Sequence, residues 1–118
     1  MTPFALLLSL SGLSQREAAD FLAVSASSVD KWTRGVRDAP RGALAEMRDL
    51  IRKQVRAAQE ALAVYRRQHA ELGKPVGLDL MIPADDAAAQ DRGWPCRSAA
   101  AQSVARIIAA LDVEVDLH

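Results

Sequence analysis

Apolar residues return every three or four positions over most of this chain, and the polar residues between them carry helix start and stop signals. The clearest stretch is residues 13–35, LSQREAADFLAVSASSVDKWTRG. Ser14 followed by Glu17 makes a capping box, after which Ala18, Phe21 and Leu22 fall at helical spacing. Ser25 then starts a second helix carrying Val29 and Trp32 on one face, and Gly35 stops it. Neither helix can bury its face alone, so the two must cross steeply over a shared core, the geometry of a helix-turn-helix. Counted from Gln15, the fifth residue is the small Ala19, where the helices approach. The tenth, fifteenth and eighteenth are Val24, Val29 and Trp32, which hold the second helix down. The ninth, in the turn, is Ala23. A left-handed conformation there would cost alanine roughly 1 kcal/mol.

The pattern extends on both sides. FALLLSL, within residues 3–10, reads as a first helix packed on the motif. Beyond the loop from Val36 to Ala39, Pro40 suits the first turn of a new helix. That helix either runs to about Leu72, where Gly73 and Pro75 stop it, or breaks near residue 50. Its apolar seam is Leu44, Met47, Ile51, Val55, Ala58, Leu62, Tyr65, His69 and Leu72. The period then switches to two. Val76, Leu78, Leu80 and Ile82 alternate with Gly77, Asp79 and Met81, which predicts a strand. Its backbone needs a partner. VEVDL at 113–117 is a weak candidate, and the same strand of a second copy is the simpler one. A short helix follows Pro83, Gly93-Trp94-Pro95 is a turn, and Ser98 caps a last helix with Ala100, Val104, Ile107 and Leu111 as its apolar stripe. Trp94 reads as a core or interface anchor. The fold expected is mainly α: a helix-turn-helix domain over residues 1–50, then a dimerisation domain over 51–118 with a long helix, one short strand and terminal helices. Val76, Leu78, Leu80, Ile82, Trp94, Val104, Ile107 and Leu111 are the expected dimerisation residues.

Composition narrows the function. A single cysteine, Cys96, cannot form an internal disulfide, which fits a reducing cytoplasm. No apolar run approaches the ~20 residues a membrane span needs, and FALLLSL lacks the basic flank of a signal peptide. The expected location is therefore cytoplasmic, with no membrane partner. No nucleophile–base pair, glycine-rich phosphate loop or metal-ligand cluster is legible, so no enzyme, cofactor or metal is expected. His69 sits on an apolar seam as a packed or interface histidine, and the adjacent Asp85 and Asp86 do not face each other on a helix.

Net charge is zero, yet residues 31–67 hold ten cationic side chains against four anionic ones. A local basic block attracts phosphate whatever the total. It begins inside the second motif helix, which makes double-stranded DNA the expected partner. Residues near the start of such a helix read base edges. Here those are Ala26, Ser27, Asp30 and Lys31. Lys31 can donate to guanine O6 and N7, and Ala26 can touch a thymine methyl. Asp30 either accepts from cytosine N4 or pairs with Arg34 four residues on. Gln15, Arg16, Ser28, Arg34, Arg37 and Arg41 are the expected phosphate contacts.

VSASSVDKWTRG resembles the recognition helix of lambda-repressor-like (XRE-type) DNA-binding domains, with Ala23 standing where that family usually has glycine. The likeness extends to a smaller group. VSASSVDKWTRGVRDAP, AEMRDLIRKQVRAA with the GKP that ends its helix, and GWPCRSAAAQSVARIIA resemble the second family of anti-CRISPR-associated autoregulators. That resemblance covers most of the chain. It implies a homodimer that binds an inverted repeat in the promoter of an anti-CRISPR operon and represses it. An antitoxin-type DNA-binding protein, whose acidic C-terminal part captures a protein partner, is the alternative.

Overall fold

Each of the first three helices begins on a hydroxyl side chain. Thr2, Ser14 and Ser25 hold extended backbone and accept a hydrogen bond from the amide three residues on, satisfying donors that a helix start leaves unpaired. In the computed structural model, which describes residues 1–73, 78–111 and 115–118, they open α1 (Pro3–Ser11), α2 (Gln15–Leu22) and α3 (Ala26–Arg34). The capping box at Ser14 is complete: Oγ accepts from the Glu17 amide at 3.1 Å and Glu17 Oε1 accepts from the Ser14 amide at 2.9 Å. The chain continues through α4 (Arg41–Leu72), β1 (Leu78–Leu80), α5 (Asp86–Asp91), α6 (Arg97–Ala110) and β2 (Val115–Leu117), and the fold is mainly α. It divides into two units, Met1–Lys53 and Gln54–His118.

In the first unit α1 and α2 both lie against α3. Phe4, Leu8, Leu13, Ala18, Leu22, Val29, Trp32, Met47 and Leu50 are buried. Alanines 18 and 19 are buried where the helices approach, and a larger side chain would push α2 away from α3.

Helix α4 is unbroken, so the expected alternative of a break near residue 50 does not occur. Its buried row differs from the expected seam. Ala43, Met47, Leu50, Gln54, Ala58, Leu62 and Tyr65 are buried, while Leu44, Ile51 and Val55 flank them half-buried and Leu72 is exposed. These steps of four and three keep pace with the 3.6-residue turn of a straight helix. At position 54 the departure has a plain cause. Gln54, a polar residue that an apolar count skips, is fully buried, and its Nε2 donates to the Ala99 carbonyl on α6 at 3.2 Å.

The strand finds its partner within the chain. β1 pairs with β2 in parallel, Leu78 opposite Val115, Asp79 opposite Asp116 and Leu80 opposite Leu117. The His118 amide donates to the Leu80 carbonyl and the Ile82 amide to the His118 carbonyl, both at 2.9 Å, so the ladder extends one step. This corrects the simpler expectation that a second copy would supply the pairing strand. A parallel pair needs a long crossover, and α5 and α6 provide it. The strand ends at Leu80, short of the expected Ile82, and Val76 and Gly77 lie outside the described residues.

Ser98 does not cap the last helix. α6 starts two residues after Pro95 with Cys96 at the cap position and no side-chain cap from it. Asp86 Oδ1, reaching from α5, accepts from the Arg97 amide at 2.8 Å instead. An acceptor from another element satisfies the helix start, which no local pattern could reveal. Ile107 packs with Ala58 and Leu62, and Leu80 and Leu111 lie half-buried against that cluster.

Candidate nucleic-acid interface

Helix α3 has one inward and one outward face. Val29 and Trp32 point in, and the Trp32 ring meets Phe4 edge-to-face with centroids 5.5 Å apart at 74°. The outward stripe is Ser27, Asp30, Lys31 and Arg34, spaced as i, i+3, i+4 and i+7 on one side of the helix. Ser27 and Arg34 are exposed, Asp30 and Lys31 half-buried, and Ala26 is exposed at the helix start. All four expected base-reading residues thus lie along or at the head of a single solvent-facing stripe. Lys31 makes no ion pair among the described residues, so its ammonium can meet an outside acceptor.

The turn that aims this helix is strained. Ala23 is left-handed, φ 56° and ψ 44°, and among the described residues no other non-glycine residue has positive φ. Its amide and that of Val24 both return to the end of α2, the latter to Ala19 at 3.0 Å. The expected cost of alanine in place of glycine therefore applies.

The far end of α3 is held by a residue outside the motif. Thr2 Oγ1 accepts from the Ala5 amide at 3.0 Å and reaches the Trp32 carbonyl at 3.0 Å and the Thr33 carbonyl at 3.3 Å. One hydroxyl thereby caps α1 and closes α3. The helix ends at Gly35, φ 78°, where a Cβ would come within 3.1 Å of Thr2 Cγ2. The Val36 and Arg37 amides turn back to the Lys31 carbonyl at 3.0 and 3.4 Å, fixing the start of the loop. The sequence signal for Thr2 was present but unused: a threonine before a proline that opens a helix.

The expected phosphate contacts fall on several elements. Gln15 and Arg16 open α2, Arg37 lies in the loop after α3 and Arg41 opens α4, all exposed. Ser28 is engaged in the cap, its amide donating to Ser25 Oγ at 3.1 Å and its hydroxyl meeting Ser25 Oγ at 2.9 Å. Arg34 is paired: Nη2 and Nε both donate to Asp30 Oδ2, at 2.8 and 3.0 Å. That hydrogen bond, and then the Asp30 charge, raise the Arg34 pKa further above its ordinary value.

In the C-terminal unit, Val104 and Ile107 are buried and Leu80 and Leu111 half-buried within the unit's own packing. Trp94 and Ile82 are half-buried, and Leu78 is in register with Val115. Among the described residues, exposed apolar surface in this unit falls at Val64, Leu72, Met81, Ile108 and Leu117, none of which the sequence pattern nominated for dimerisation. No described helix is long and apolar enough to cross a membrane. No protein-family model matches the chain, and no curated protein matches it at a significant level.

Proposed function

We propose that the protein is a sequence-specific DNA-binding transcriptional regulator. It acts as a homodimeric autorepressor of the kind found in the second family of anti-CRISPR-associated autoregulators, binding an inverted repeat in the promoter of an anti-CRISPR operon. One observation carries the DNA-binding part: the outward stripe of α3, with Lys31 at its centre, on a helix pinned from behind by Val29 and Trp32. A pinned helix with polar outward side chains suits insertion into the major groove, where Lys31 would donate to guanine O6 or N7 and Ser27 and Ala26 would meet neighbouring base edges. Gln15, Arg16, Ser28, Arg37 and Arg41 would fix the register on phosphates. The operon and the autorepression rest on the sequence resemblance alone. The protein works in the cytoplasm as a binder, without catalysis or a cofactor. In the dimer, two copies of α3 sit one DNA turn apart, roughly 34 Å, or a multiple of it, so the site is a near-palindrome.

Selection from a random-sequence duplex library, followed by sequencing, tests this. The expected product is an inverted repeat that recurs upstream of the protein's own gene. Recovery of no enriched sequence would remove the function, and a stable complex with a co-expressed basic protein would favour the antitoxin-type alternative.

A further inference from the structure

The Asp30–Arg34 pair leaves a specific valence unused. Both guanidinium donors fall on one carboxylate oxygen, Oδ2. Oδ1 has no hydrogen-bond partner among the described residues and belongs to a side chain 42% exposed on the outward stripe of α3. A bare carboxylate is poorly suited to a groove walled by phosphates, because like charges repel. Arg34 removes that obstacle by neutralising the charge while leaving one acceptor in place.

Resting on the DNA-binding function proposed above, we propose that Asp30 and Arg34 act together as one reader of cytosine: Oδ1 accepts from cytosine N4, and Arg34 makes the carboxylate tolerable beside the phosphates. A carboxylate only accepts hydrogen bonds, so it rejects guanine, whose major-groove edge carries the acceptors N7 and O6, and thymine, which offers O4 and a methyl, and it disfavours adenine, whose N6 donor stands beside the acceptor N7. Arg34 is thus first a partner of the reader and only second a phosphate contact.

The base profile of the full-length protein should show, at one position in each half-site, a preference for cytosine over the other bases of about tenfold. Asp30→Asn should move that preference to adenine, because an amide can pair with adenine N6 and N7. Asp30→Ala should flatten it and leave the other positions unchanged. The coupling is tested in the same assay. Arg34→Ala alone should weaken cognate binding more than the double variant D30A/R34A does, since the second change removes the stranded carboxylate. Both side chains face solvent, and far-UV circular dichroism checks that each variant keeps its helices. An unchanged profile in both Asp30 variants, or a double variant no tighter than Arg34→Ala, would overturn the proposal. If the wild-type protein selects no sequence at all, the DNA-binding function fails rather than this assignment.

Discussion

Two residues of the motif differ in what they do for the protein. Ala23 occupies a left-handed turn that glycine would fill without strain. The penalty for an L-residue there, about 1–2 kcal/mol, is partly offset because alanine has less chain entropy to lose than glycine. Ala23→Gly should therefore raise the unfolding free energy by roughly 0.5–1 kcal/mol in urea melts; a loss of stability would show that the turn tolerates alanine without strain. Lys31, by contrast, is placed for a partner outside the protein. Lys31→Ala should leave the melt unchanged, cost about 1–3 kcal/mol in operator binding and relax the base preference at one position. Uniform weakening on every sequence would make it a phosphate contact.

At the scale of elements, the helix-turn-helix stands on contacts from outside its own twenty-odd residues. Thr2 ties the start of α1 to the end of α3 through one hydroxyl, so Thr2→Val should destabilise by about 1 kcal/mol or more, as a lost N-cap does. Thr2→Ser, which keeps the hydroxyl, should cost much less, and equal losses in the two variants would assign the effect to packing of the methyl group. What the sequence pattern could foresee follows from what is local. The capping box at Ser14, the turn at Ala23, the stop at Gly35 and the apolar pair Val29 and Trp32 are all set within a few residues, and each is where its pattern placed it. The stripe holding Ser27, Asp30 and Lys31 follows from that helix phase. What escaped was non-local or polar. Gln54 in the buried row of α4 breaks an apolar count, Asp86 caps a helix eleven residues on, and the VEVDL alternation is too brief in sequence to outweigh a symmetric partner. The pair between Asp30 and Arg34 was foreseeable from spacing, but its use of a single carboxylate oxygen was not.

For the whole molecule, the parallel pairing of β1 and β2 changes where a second copy can bind. Val104 and Ile107 are consumed in the chain's own core, so a homodimer would have to use other surface of the C-terminal unit. In the proposed homodimer, linking two weak half-site contacts would raise affinity without any new contact to DNA. A fragment of residues 1–53, the first unit alone, should sediment as a monomer and bind the operator roughly 100-fold or more weaker than the full chain. A fragment that matches the full chain in affinity would show that the C-terminal unit adds nothing to recognition. The zero net charge of the chain conceals its basic block, so binding should respond strongly to salt even though the protein as a whole is neutral.

The most direct test titrates the full-length protein against the duplex upstream of its own gene and against a scrambled duplex of the same composition, by fluorescence anisotropy over a range of salt. The upstream duplex should bind tighter by a factor on the order of 1,000 at physiological salt, and both affinities should fall as salt rises. Equal affinity for the two duplexes at every salt concentration would contradict the assignment of α3 as a reader of DNA sequence.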